Sequence, residues 1–165
     1  YNGNAASFVN KTSYPGAGRY GATEYLLLAP SGGSTITIAL SASVDVMGHS
    51  ASYTNVAQSS QPEATGTNSG TSGTGTCAAT ALTNNAWYVM AEVNGAGTVT
   101  AGASTNVRET SATGTGLADG GPFSSGSNTL TVTHTSTDWA SVCMVLSEVV
   151  IPTGEDDGGL LLLLE

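Results

Sequence analysis

The sequence predicts an all-β fold, an antiparallel β-sandwich with Greek-key or jelly-roll connections. Short apolar or alternating runs recur at intervals of roughly 8–12 residues, which is typical of sandwiches and barrels. Gly, Asn, Pro and Ser residues separate these runs and provide turns. No stretch of convincing length carries the periodicity of an amphipathic helix, which is about 3.6 residues. These observations place the chain in the all-β class.

Four strands are predicted in the first third of the chain. The clearest covers residues 35–40, where Ile36, Ile38 and Leu40 alternate with Thr and Ala, as expected for a strand with one buried face. The other three are residues 6–9, 24–28 and 44–53. The Tyr1-Asn2-Gly3-Asn4 turn is expected to follow a further strand that precedes Tyr1.

Later strands are predicted at residues 76–82, 86–93, 129–134 and 139–150, with short ones at 64–67 and 98–101. The runs 129–134 and 139–150 flank a short polar turn and are predicted to pair as a hairpin. The short strand 98–101 is predicted to pair with 86–93. Because they are rich in Gly, Ser, Thr and Asn, residues 61–76 are expected to form mainly an exposed loop, and 106–121 an irregular polar segment.

The charge composition argues against polyanionic partners. Charged residues make up 9% of the chain, against about 25% in typical domains, and three basic residues face twelve acidic ones for a net charge of −9. Nucleic acids and anionic membrane surfaces both require clustered cations, so neither is expected as a partner. The uncharged Thr, Ser and Gly surface is common on secreted and virion proteins, which predicts an extracellular or virion-surface location.

The chain is predicted to hold one domain, residues 1–152, followed by an acidic linker and tail at 153–165. The tail ends in an unbroken apolar run, Leu160, Leu161, Leu162, Leu163 and Leu164. Such a run aggregates when exposed, so we expect it to be buried against its own domain or a neighbouring subunit. The alternative is that it begins a helix leading to a further region.

Cys77 and Cys143 are the two cysteines. An even pair in a chain of extracellular character predicts one disulfide, although two buried thiols would satisfy the sequence equally well.

His49 and His134 are the two histidines, and each invites comparison with a Ser–His–Asp triad. Serine is so frequent here that matches arise by chance, and the sequence around His49 lacks the second glycine of a nucleophile elbow. His134 precedes a turn, where a polar side chain ordinarily caps backbone groups. No catalytic residue is therefore assigned, and the chain is expected not to be an enzyme.

Other site types receive little support. Two separated Cys and two separated His residues do not form a zinc set, and Glu155-Asp156-Asp157 lacks the spacing of a calcium loop, so neither a metal nor a cofactor is predicted. Asn10-Lys11-Thr12 matches the N-glycosylation pattern. A carbohydrate-stacking platform could be formed by six aromatic residues, namely Trp87, Trp139, Tyr88, Tyr14, Tyr20 and Tyr25. Trp87 and Trp139 lie within apolar strands, which favours core packing.

Several segments resemble a loosely defined group of phage and metagenomic β-sandwich surface domains. They are residues 25–38 (YLLLAPSGGSTITI), 52–58 (SYTNVAQ) with Pro62, 87–90 (WYVM) and the 129–145 hairpin, together with the Tyr1-Asn2-Gly3 turn. The resemblance implies a jelly-roll-like module on virions or cell surfaces, with further N-terminal strands and no catalytic residues.

The sequence therefore predicts a non-enzymatic structural protein of an extracellular assembly, first of all a phage capsid decoration or fibre component. Its expected partners are other copies of itself or a shell or filament protein. The alternatives are a subunit of a bacterial surface filament or adhesin, and a carbohydrate-binding module that recognises surface glycans.

Overall fold

The computed structural model describes residues 6–13, 21–26, 37–39, 46–95, 97–135 and 137–149. Within these ranges the chain is all-β without a helix, and two antiparallel sheets pack together, so the predicted sandwich class is confirmed. A separate two-stranded hairpin, β1 (Ser7–Ser13) with β2 (Gly21–Leu26), contacts the larger sheet on its outer face.

The larger sheet has five strands in the order β3-β10-β5-β8-β7. They are β3 (Ala64–Gly70), β5 (Ala86–Asn94), β7 (Asn106–Ser111), β8 (Thr115–Phe123) and β10 (Trp139–Leu146). The smaller sheet has the order β4-β9-β6, with β4 (Thr74–Ala81), β6 (Thr100–Ala101) and β9 (Gly126–Thr133).

The core between the sheets is filled by alternate residues of the facing strands. Cys77, Leu130 and Val132 come from the smaller sheet, whereas Tyr88 and Met90 come from β5. The Tyr88 hydroxyl accepts a 3.0 Å hydrogen bond from the Ala81 amide and donates one to the Ala79 carbonyl, so its polar end is satisfied within the core.

A disulfide between Cys77 on β4 and Cys143 on β10 joins the two sheets, with a Cα–Cα distance of 6.0 Å. It lies beside Met90, the β5 residue paired with Cys143, and therefore crosses the dry interior.

The outer face of the larger sheet is covered as well, which explains why β10 is apolar at every position except Ser141. Every residue of β10 is buried. Val89, Leu117, Met144 and Leu146 form a second apolar cluster on this outer face, against which Val9 of the hairpin packs. Because β10 is covered on both faces, its sequence does not alternate.

The outer segment, residues 46–58, runs along this same face without forming a regular strand. His49 contacts Thr115 at the start of β8, and Val56 forms an isolated bridge with Glu148 beyond β10. The strand predicted at residues 44–53 is therefore wrong over 46–53. Within residues 46–53 only His49 and Tyr53, four positions apart, are half-buried, so the alternation in the sequence does not correspond to a buried strand face.

Several other predictions of local structure are wrong. Residues 37–39 of the predicted strand 35–40 are exposed and irregular. Residues 106–121 form β7 and most of β8. The short strand predicted at 64–67 is confirmed as part of β3, but the loop predicted around it is wrong where β3 continues and β4 begins. The expected hairpin over 129–145 does not form, because β9 and β10 belong to opposite sheets. Residues 100–101 pair with β9 rather than with β5.

Candidate functional site

The most unusual polar group in the described part of the chain is Glu92, which is only 3% exposed. Glu92 lies on β5 at every-second-residue spacing from Tyr88 and Met90, so its side chain points into the interior as theirs do. The strand therefore places a carboxyl group inside one end of the sandwich. Gly75 on β4 lies directly opposite, where a Cβ atom would overlap the carboxylate. The sheets approach closely at this point because position 75 carries no side chain.

His134 meets Glu92 from the other sheet. It follows the last residue of β9, its side chain is fully buried, and its Nε2 lies 3.2 Å from Glu92 Oε1. The other ring nitrogen, Nδ1, lies 2.8 Å from the Thr135 carbonyl oxygen. Because a carbonyl only accepts hydrogen bonds, Nδ1 carries a proton.

Few hydrogen bonds compensate the Glu92 carboxyl group for the water that it loses on burial. Asn94 donates to Oε1 over a long 3.4 Å, and Oε2 has no hydrogen-bond partner. Burial raises the pKa of Glu92 from 4.5 to about 7, and the Asn94 hydrogen bond opposes this rise. The carboxyl group therefore keeps its proton to near-neutral pH. Its Oε1 lies 3.2 Å from His134 Nε2, which has no hydrogen-bond partner among the described residues.

A second buried acid, Asp119 on β8, lies on the outer face of the larger sheet and is fully buried. Arg108 Nε donates to its Oδ2 at 2.6 Å, and the Tyr53 hydroxyl donates to the same oxygen at 2.9 Å. The adjacent carboxylate raises the pKa of Arg108, chiefly through this hydrogen bond. This cluster pairs charges and fastens the outer segment to β8.

The structure does not assemble either histidine into a triad. His49 Nε2 meets the Thr115 hydroxyl at 2.8 Å, but none of its hydrogen bonds in the described residues involves a carboxylate. His134 has a carboxylate neighbour, whereas its other nitrogen bonds a backbone carbonyl. The described residues also contain no cluster of three or more His, Cys, Asp or Glu side chains that could hold a metal.

The two tryptophans of the proposed stacking platform are not exposed, and Tyr14, Tyr20 and the side chain of Tyr25 lie outside the described part of the chain. Trp139 is 4% exposed and its Nε1 donates to the Ser72 hydroxyl, while Trp87 is half-buried against the outer apolar cluster. Asn10, the proposed glycan acceptor, lies on β1 and its Oδ1 accepts a hydrogen bond from the Lys11 amide. Residues 153–165, including the leucine tail and the acidic linker, lie outside the described residues, as does the domain boundary predicted at 152.

The outer face of the smaller sheet was not singled out by the sequence, although its alternation of Thr with apolar residues provides the signal. We call it the hydroxyl face. It carries no charged residue, and its side chains are exposed or half-buried: Thr74, Thr76, Ala78, Thr80, Thr100, Ser127, Thr129, Thr131 and Thr133. Cross-strand register aligns them in rows, such as Thr76 beside Thr131 and Ala78 beside Thr129.

Comparisons with protein-family models, with curated proteins and with solved structures found no match. Across the described ranges there is no helix of the length and hydrophobicity needed to cross a membrane.

Proposed function

We propose that this chain is a non-enzymatic structural module of an extracellular assembly, in the first place a capsid decoration or fibre component of a phage virion. The hydroxyl face is the observation that carries the proposal. It is the surface through which the module packs against other copies of itself or against a shell or filament protein.

The charge distribution supports this choice of surface. The chain carries a net charge of −9, so most approaches between two copies are repulsive. Strands β4, β6 and β9 contain no charged residue, and the hydroxyl face is therefore a surface on which this repulsion is weakest. Interface cores are likewise depleted of Lys, Glu and Asp.

The side chains of the hydroxyl face are suited to burial in an interface. Threonine is β-branched and stiff about χ1, so it loses less conformational entropy on docking than a long flexible side chain does. Its methyl group adds apolar area and its hydroxyl group both donates and accepts. The Thr100 and Thr133 hydroxyls, 2.6 Å apart, already show such pairing within the sheet.

The disulfide between Cys77 and Cys143 is compatible with an oxidising, extracellular setting. The alternative of a bacterial surface filament or adhesin uses the same face, so particle imaging is needed to separate the two. The carbohydrate-binding alternative is less well supported, because Trp139 is buried and Trp87 is half-buried.

The proposal is tested by labelling native particles with antibodies against this chain and viewing them by electron microscopy. We expect label on a virion shell or fibre, whereas label on a cell-attached filament would favour the adhesin alternative. Absence of label from every extracellular particle would overturn the proposal.

The role of the hydroxyl face is tested by Thr129→Lys, which places a charge at its centre. We expect incorporation into particles, or self-association in sedimentation experiments, to fall at least about tenfold while the fold is retained. Thr67→Lys is the matched control, because Thr67 is an exposed threonine on β3 of the other sheet. Equal effects of the two substitutions would show that this face is not the docking surface.

A further inference from the structure

We propose that Glu92 and His134 form a pH-dependent latch, which holds the two sheets together at one end of the sandwich when it carries one proton and releases that end when the proton is lost. The latch is independent of the assembly role proposed above, since it lies in the interior rather than on the hydroxyl face.

The latch spans the interface between the sheets. Glu92 belongs to β5 of the larger sheet, and His134 follows β9 of the smaller one. Their contact of 3.2 Å joins two segments separated by 42 positions (134 − 92). Both side chains are at most 1% exposed, so water does not share their hydrogen-bonding groups.

Proton counting defines the two states. Nδ1 of His134 is committed to the Thr135 carbonyl, so the facing atoms are Nε2 and the Glu92 carboxyl group. With one proton between them, the pair has no net charge, and the two facing atoms are held 3.2 Å apart. Without that proton, a lone pair faces a carboxylate, and one uncompensated negative charge remains in a dry interior, which is strongly unfavourable.

The described strands packed against Glu92 place no charged side chain beside it that could replace the proton. Gly75 faces the pair from β4, Ser141 is the β10 partner of Glu92, and Gly116 is its β8 partner. Asn94 on β5 is uncharged and donates a long hydrogen bond of 3.4 Å to Oε1. Asp138 is the acidic residue nearest in sequence to His134, and a carboxylate cannot supply the missing positive charge.

The latch lies beside the backbone contacts that close this end of the sandwich. The His134 amide donates to the Gly73 carbonyl at 3.0 Å, which ties the 134–138 connection to the β3–β4 turn. The Gly95 amide donates to the Asp138 carbonyl at 3.1 Å, which ties the same connection to the end of β5. Loss of the latch proton is therefore expected to open these two contacts first.

Native-state hydrogen exchange of the whole chain tests the proposal. After correction for intrinsic exchange, the protection factors of the Gly95 and His134 amides should fall at least about tenfold between pH 5.5 and pH 8. The internal controls are two amides near the opposite end of β10. The Glu63 amide donates to the Val145 carbonyl, and the Ala57 amide donates to the carbonyl of Ser147, which follows β10. Their protection should change less than about twofold.

Glu92→Gln removes the titrating group while keeping the shape of the side chain. In this variant the pH dependence at Gly95 and His134 should disappear. If the variant fails to fold, the side-chain carboxyl ¹³C resonance of Glu92 in the unmodified chain provides a second readout, because it should shift with the same midpoint as the amide protection. Protection that is independent of pH, or a pH dependence that persists in Glu92→Gln, overturns the proposal.

Discussion

The Tyr53 hydroxyl donates a 2.9 Å hydrogen bond to Oδ2 of Asp119, a carboxylate that is fully buried on the outer face of the larger sheet. Arg108 approaches the same oxygen from β7. Tyr53 lies in the outer segment, so this contact attaches an irregular stretch of chain to β8. The segment thereby covers apolar surface that would otherwise face water.

Tyr53→Phe should lower the free energy of unfolding by about 2 kcal/mol, because the buried carboxylate loses a charge-assisted donor. The measurement is chemical denaturation at neutral pH. Thr54→Ala is the control, since Thr54 is the exposed neighbour in the same segment. A loss no larger than that of the control would show that Arg108 alone compensates Asp119.

The sequence predicted two kinds of strand: strands that alternate apolar and polar residues because one face is buried, and strands that are largely apolar because both faces are buried. Strand β5 was predicted almost to its ends because apolar residues run through it, and β10 was predicted for the same reason. β8 was missed because Gly116, Gly120 and Gly121 are typical of loops. In the folded chain, Gly120 lies where a Cβ would overlap the Ser104 carbonyl, so close packing, which the sequence does not display, selects glycine there.

The partners of the strands were harder to predict than the strands themselves. β9 alternates, with Leu130 and Val132 inward, whereas β10 is apolar except for Ser141, and this difference indicates burial on one face for β9 and on both faces for β10. The burial of Glu92 could have been predicted from the sequence, because Glu92 follows Tyr88 and Met90 at every second position of β5 and therefore lies on the same face of the strand. Its partner His134 had none, because contacts between the ends of different sheets depend on topology rather than on spacing.

Removal of the disulfide should destabilise the chain by about 4 kcal/mol. The bond closes a loop with a sequence separation of 66 residues, and the stabilisation expected from loop-closure entropy is of this size. The experiment compares denaturation midpoints of the oxidised chain and of the Cys77→Ala, Cys143→Ala double variant. Treatment of the double variant with reductant is the control and should have no effect. A loss below about 1 kcal/mol would contradict the expectation.

Gly75→Ala should be destabilising, by about 2 kcal/mol, because the added Cβ overlaps the Glu92 carboxylate, and this buried side chain can move aside only by giving up its contact with His134. Gly48→Ala is the matched control, since a Cβ there meets only Ile38 at 4.0 Å. The check is thermal and chemical denaturation of both variants. Equal stabilities would mean that the sheets separate readily at this end.

The pH dependence of global stability should reflect Glu92. Its pKa in the folded chain is about 7, above the ordinary value of 4.5, so the folded state retains a proton that the unfolded state has released. The contribution is therefore complete below about pH 4.5 and is lost as pH rises through 7, which corresponds to about 3 kcal/mol. We expect the free energy of unfolding of the unmodified chain, relative to that of Glu92→Gln, to fall by about 2–3 kcal/mol between pH 5 and pH 8.

Glu109→Gln, at an exposed position of β7, is the control and should retain the pH profile of the unmodified chain. A profile in Glu92→Gln parallel to that of the unmodified chain would show that this carboxyl group titrates normally.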